Sequence, residues 1–86
     1  MNNMFKVVTV SGASVAFAAG ESRALTISYT SPSGYVPVGI VGFHTGNVAI
    51  RAIRVTVGRI DVINAAAQTV EFTPTITILF CKTGLI

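Results

Sequence analysis

Charge is scarce in this sequence of 86 residues. Nine Asp, Glu, Lys and Arg residues make up 10% of the chain, where an average soluble domain carries about 25%, or roughly 21 for this length. Hydrophobic residues make up 51%. A domain this short buries only about 60–65% of the surface of its extended chain, so much of that apolar content stays exposed on a monomer. Another protein surface is therefore expected to cover it. Long apolar runs are also missing. The longest, Val36–Phe43, is interrupted by Pro37, Gly39 and Gly42. A spanning helix needs about 18 consecutive apolar residues, so helical membrane insertion is excluded, and one chain offers too few strands for a barrel pore. The length suits a single domain, 1–86.

The equipment for catalysis is equally thin. There is one histidine, His44, and three acids, Glu21, Asp61 and Glu71. No spacing brings a hydroxyl nucleophile and an orienting carboxylate to His44, and the three acids fall in separate turns or strands. One His and one Cys, 37 residues apart, match no metal-ligand pattern. The glycine-containing run Gly39–Gly46 lacks GxGxxG spacing, a P-loop lysine and a following helix, so it reads as sheet. No catalytic residue, metal ligand or cofactor is expected. The single cysteine, Cys81, has no intramolecular disulfide partner and follows Leu79 and Phe80, which marks it as a small buried hydrophobe.

The formal charge of +3 arises from Lys6, Arg23, Arg51, Arg54, Arg59 and Lys82 against the three acids, without a run of one sign. Nucleic-acid binders cluster basic residues and interleave aromatics for stacking; here the seven aromatics sit mostly at inward-facing positions, so no nucleic-acid partner is expected. Arg51, Arg54 and Arg59 read as exposed residues that keep an otherwise uncharged surface soluble, or that contact an anionic partner such as a cell-wall polymer. Met1–Lys6 followed by Val7–Ala19 imitates a signal peptide with a small-residue site at Ala16-Phe17-Ala18. Thr9, Ser11, Gly12 and Ser14 interrupt it, and the same residues read as two short strands around a Ser11-Gly12 turn.

Strand-forming residues, by contrast, are abundant. Val, Ile and Thr supply 31 residues, while Leu, Glu, Lys, Gln and Met supply ten, so intrinsic preference favours strands nearly everywhere. Leu25, Ile27 and Tyr29 alternate with Thr26, Ser28 and Thr30, giving one apolar and one hydroxyl face. Ser31-Pro32-Ser33-Gly34 is a turn with Pro at the first central position. Tyr35–Thr45 is apolar on both faces; Gly39 and Gly42 suggest bulges or close backbone approach, and Pro37 belongs at an edge, a strand start or a bulge. His44–Asn47 is a connection.

Gly58 and Arg59 are expected as the central residues of a two-residue turn. That register puts Ile53, Val55 and Val57 on a face with Ile60, Val62 and Asn64. Arg54 and Thr56 then share the other face with Asp61 and Ile63, with Arg54 and Asp61 diagonal. Val48 and Ile50 are inward by even parity, which requires a bulge near Arg51-Ala52. Ala65–Ala67 is too short to nucleate a helix and reads as loop. The last strand turns Ile76, Ile78 and Phe80 inward and Thr75, Thr77 and Leu79 outward, ending by Gly84. About seven to eight short strands with frequent turns predict an all-β fold, a small antiparallel β-sandwich or barrel.

The order Ala24–Tyr29, then Pro32–Phe43, then a hairpin ending in Asn64, then Thr73–Phe80, resembles small modules in tail-associated proteins of phages that infect gut Firmicutes. The similarity covers about residues 20–82. It implies a non-enzymatic virion surface domain, a jelly-roll-like sandwich forming a homotrimer, placed at a tail fibre, a baseplate or as a head decoration protein among other virion proteins. Two alternatives stand beside it. One is a module that binds a host surface glycan or teichoic polymer through a loop or an inter-subunit groove, using Tyr35, His44, Asn47 and Arg51. The other is a secreted, immunoglobulin-like bacterial adhesion domain.

Overall fold

The computed structural model of the chain describes residues 4–84 of the expected 1–86 domain. Eight strands form, and among the described residues there is no helix: β1 Phe5–Ser11, β2 Val15–Phe17, β3 Ser22–Leu25, β4 Tyr35–His44, β5 Ile50–Thr56, β6 Arg59–Asn64, β7 Val70–Phe72 and β8 Thr75–Lys82. The fold is all-β and antiparallel throughout, as the periodicity predicts.

The strands pair in a nest. Phe5 lies opposite Cys81 and Ser11 opposite Thr75, then Val15 opposite Phe72, and finally Ser22 opposite Ile63 and Leu25 opposite Ile60. The first quarter of the chain thus runs antiparallel to the last third as one interrupted ribbon. β4 adds to the far side of β8 and β5 to the far side of β6, which gives the sheets β1–β8–β4 and β3–β6–β5 with the short ribbon β2–β7 between them in the nest. This pairing is consistent with a small β-sandwich.

One core serves all three sheets. Ile76, Ile78 and Phe80 of β8 are at most 1% exposed and join Phe17, Leu25, Ile27, Ile50, Ile60, Val62, Val70 and Phe72 in a single cluster. The inward set expected of the last strand is therefore correct. Ala65–Ala67 is a loop, also as expected.

Asn64 is the one buried polar side chain in the core region, at 0% exposure. Its Nδ2 donates to the carbonyls of Phe17 (3.2 Å), Ala18 (3.1 Å) and Gln68 (2.9 Å), and its Oδ1 accepts from the Ala66 amide at 2.9 Å. The side chain replaces ladder bonds where β3–β6 gives way to β2–β7, so burying an amide there leaves nothing unsatisfied. Arg23 closes the same corner. Its guanidinium stacks on the Phe17 ring at 4.3 Å, donates to the Ala16 carbonyl at 2.6 Å and pairs with Glu21 at 3.3 Å.

Several local expectations are corrected. The strand at Leu25–Thr30 leaves its ladder at Leu25, opposite Ile60, one residue from the start of β6 at Arg59. The alternation survives in burial alone: Ile27 is 3% exposed, and Tyr29 meets Phe80 at a ring separation of 6.1 Å. The turn before β4 is shifted by one residue. Tyr35 donates to the Pro32 carbonyl at 3.0 Å, so Ser33 and Gly34 are central, with Gly34 at φ +82°. β1 and β2 do not form a hairpin around Ser11-Gly12; each pairs with a distant strand, and the Gly12 amide bonds the Pro74 carbonyl at 2.8 Å.

In the β5–β6 hairpin the central residues are Val57 and Gly58, with Gly58 at φ +92°. Arg54 lies directly opposite Asp61, and the bulge falls at Ile53. The inward reading fails for three residues. Val48 is 95% exposed in the loop before β5, while Ile53, the bulge residue, and Val55 are 61% and 41% exposed on β5, an edge strand of its sheet. In β4 both expected bulges occur, between Pro37 and Gly39 and between Ile40 and Gly42. Neither glycine is a close approach, since an added Cβ meets nothing within 4 Å.

Candidate functional site

The two three-stranded sheets present outer faces of different chemistry. On β1–β8–β4, the residues opposite in parity to the buried Ile76, Ile78 and Phe80 form four rows across the sheet. Phe5, Cys81 and Val36 make the first row, and Val7, Leu79 and Gly39 the second. Thr9, Thr77 and Gly42 make the third, and Ser11, Thr75 and His44 the fourth. Half of this face is apolar and half is hydroxyl. The hydroxyls pair across strands, Thr9 with Thr77 and Ser11 with Thr75, each at 3.1 Å. The apolar half lies open: Phe5 is 52% exposed and Val7 59%, and the β4 bulge residues Val38 and Val41 are 44% and 61% exposed. None of the twelve positions in these rows carries a charged Asp, Glu, Lys or Arg. Cys81 is buried, as expected, but in this outer layer rather than in the core cluster.

The outer face of β3–β6–β5 is polar and basic. Ser22, Ile63 and Arg51 share one row, and Ala24, Asp61 and Arg54 share the next; Arg59 follows on β6, opposite Thr56. The bulge at Ile53 produces this grouping. Arg51 and Arg54 differ in parity and would point to opposite faces of a regular strand, but the extra residue returns Arg54 to the face of Arg51. Asp61 is the single acid among these positions, and Arg59 holds it at 3.2 Å. Arg51 and Arg54 are exposed and make no side-chain hydrogen bond or ion pair within the described residues.

The loop between β4 and β5 borders an open groove of about 330 Å³ lined by Phe43–Val48 and Ile50. Thr45 Oγ1 bridges the Asn47 amide and carbonyl at 3.2 and 3.1 Å, and Asn47 Oδ1 accepts from the Ala49 amide at 2.9 Å. Asn47 therefore shapes its own loop with its side-chain oxygen. His44 is exposed and has no side-chain partner among the described residues. Comparison with protein-family models, curated proteins and solved structures finds no match.

Of the four residues expected at a glycan contact, the structure brings two together. His44 and Asn47 line the groove. Arg51 follows the groove residue Ile50 but belongs to the outer face of β3–β6–β5. Tyr35 is at the opposite end of β4, about 25–30 Å away along the strand, and on the inner side, where Lys6 Nζ sits 4.7 Å from its ring centroid. Strand length separates it from His44. No group of three or more His, Cys, Asp and Glu able to hold a metal occurs among the described residues. Sequence reasoning missed two features: the structural role of Asn64 and the joining of Arg51 to the Arg54–Asp61 face. Asn64 did carry a signal, an amide at an inward-parity position directly after Ile60 and Val62.

Proposed function

We propose that this protein is a non-enzymatic structural module that assembles with copies of itself, in the setting of a phage virion surface. The observation that carries the assembly is the open apolar half of the β1–β8–β4 outer face. A second copy is the occupant that fits. The rows of this face bear no charge that would repel its own image, and among the described residues the outer edges of β1 and β4 have no ladder partner, leaving strand edges beside it for pairing. The chain's shape supports the same reading. Its radius of gyration is 14.6 Å against about 12 Å for a compact chain of this length, and its surface is 5240 Å² against about 4,900 Å² for its mass. The virion setting and the three-fold symmetry rest on the resemblance.

Light scattering on the purified protein tests the assembly. A three-fold mass is expected, falling to the monomer mass in a Val7→Lys, Val41→Lys double variant that keeps its β-type circular dichroism. A wild-type chain that stays monomeric up to its solubility limit removes the proposal. Absence of the chain's peptides from purified phage particles removes the virion setting alone.

A second reading, recognition of a surface glycan, is favoured by the groove that His44 and Asn47 share. Glycan-array binding that His44→Ala abolishes would support it, and silence across the array would discard it.

A further inference from the structure

We infer that the outer face of β3–β6–β5 is a binding surface for a linear, base-free phosphodiester polymer, held by Arg51, Arg54 and Arg59. This inference stands on that sheet alone and does not depend on self-association.

Three observations carry it. The chain has six cations in all, and three of them fall on this one face within two strands. The other cations sit elsewhere: Lys6 lies over Tyr35, Arg23 is engaged with Phe17, Ala16 and Glu21, and Lys82 is at the end of β8. Second, the grouping depends on an irregularity. The Ile53 bulge sets Arg51 and Arg54 on one face, and a regular strand would have split them. Third, the charges are not internally neutralised. The face has one acid, Asp61, which Arg59 engages, and Arg51 and Arg54 make no side-chain hydrogen bond or ion pair among the described residues.

The geometry selects the ligand class. Successive outward residues on a strand lie about 7 Å apart and neighbouring strands about 4.8 Å apart, so the three guanidinium-bearing positions follow one another at about 7–8 Å. That is a row of charges for a chain of recurring anions, not a pocket for a single ion. Guanidinium is weakly hydrated and donates two parallel N–H bonds to one phosphate, so an exposed row of arginines suits phosphate oxygens better than a row of lysines would. No aromatic residue occupies these rows, so the bases of a nucleic acid would find no aromatic platform, whereas a polyol phosphate needs none.

The test is a binding titration of the full chain with fluorescently labelled poly(glycerol phosphate), with single-stranded oligo(dT) and neutral dextran run beside it. Poly(glycerol phosphate) is expected to bind best. Its affinity should fall between roughly 50 and 200 mM NaCl with a log–log slope of about −2, since two to three cations are engaged. Arg51→Gln with Arg54→Gln should weaken binding about tenfold or more, and Asp61→Asn should tighten it. Lys82→Gln, which removes a positive charge elsewhere, should change it less than twofold. All these positions are surface or half-exposed, and unchanged thermal midpoints confirm folding of each variant. Equal weakening by Lys82→Gln would overturn the site in favour of net charge. Tighter binding of oligo(dT) would overturn the base-free class, and no binding at low salt would overturn the inference altogether.

Discussion

The sheets β1–β8–β4 and β3–β6–β5 are built alike: three antiparallel strands each, one face on a common core, one bulged strand at an edge. Their outer faces nevertheless differ completely. The first exposes Phe5, Val7, Val38 and Val41 beside paired hydroxyls and carries no charge in its rows; the second carries three arginines around one aspartate. The bulges shape each face in its own way. In β4 they put extra valines on view, and in β5 a single extra residue unites two arginines. The inner faces fix the fold, while the outer faces are free to differ and so determine what each sheet can meet.

The largest effect is expected from removing what both sheets share, the core. Phe80→Ala deletes a fully buried ring that packs on Tyr29, and should cost about 3–5 kcal/mol. Chemical denaturation should show the loss of both sheets in one transition; separate transitions would mean that the sheets do not share a core. Asn64→Ala comes next, at about 2–3 kcal/mol, since it strips bonds from the carbonyls of Phe17, Ala18 and Gln68 and from the Ala66 amide. The thermal midpoint should drop by about 10 °C or more. Gly58→Ala places a side chain at φ +92°, with an expected loss of about 1 kcal/mol or somewhat more confined to the β5–β6 hairpin, which hydrogen exchange would locate.

The smallest stability effects should fall on the outer faces, and these separate the two regions most clearly. Val7→Lys with Val41→Lys should leave the monomer's stability within about 0.5 kcal/mol while changing its mass in solution. Arg59→Gln should cost less than about 1 kcal/mol, because its ion pair with Asp61 is 65% exposed on the arginine side. A large destabilisation from either change would mean that the outer faces support the fold and are not free for partners.

Much of this was legible in the sequence. The alternation in β8 announced its buried set, an edge position and bulges stood among the readings open to Pro37 and the glycines of β4, and the scarcity of charge announced exposed apolar surface. The alternation at Leu25, Ile27 and Tyr29 was also right about burial and wrong about pairing, because periodicity records which side is apolar and not whether a neighbouring strand is there to bond. The candidate site was less legible. The alternative glycan-binding module called for a joint contact of Tyr35, His44, Asn47 and Arg51, yet a ten-residue extended strand carries Tyr35 away from His44, and alternation turns Arg51 off the groove side on which Ile50 lies.

The sequence by itself determined that the chain is strand-rich, that its last strand has an inner and an outer side, and that charge is too sparse to cover its surface. These follow from residue preference, from the two-residue repeat of extended backbone and from simple counting. Tertiary structure alone decided that residues near Phe5 meet residues near Cys81, that Asn64 seals the junction between ribbons, and that a bulge at Ile53 sets Arg51 beside Arg54. Register and bulge position depend on which distant strand is the partner, and the local pattern of a strand does not encode its partner.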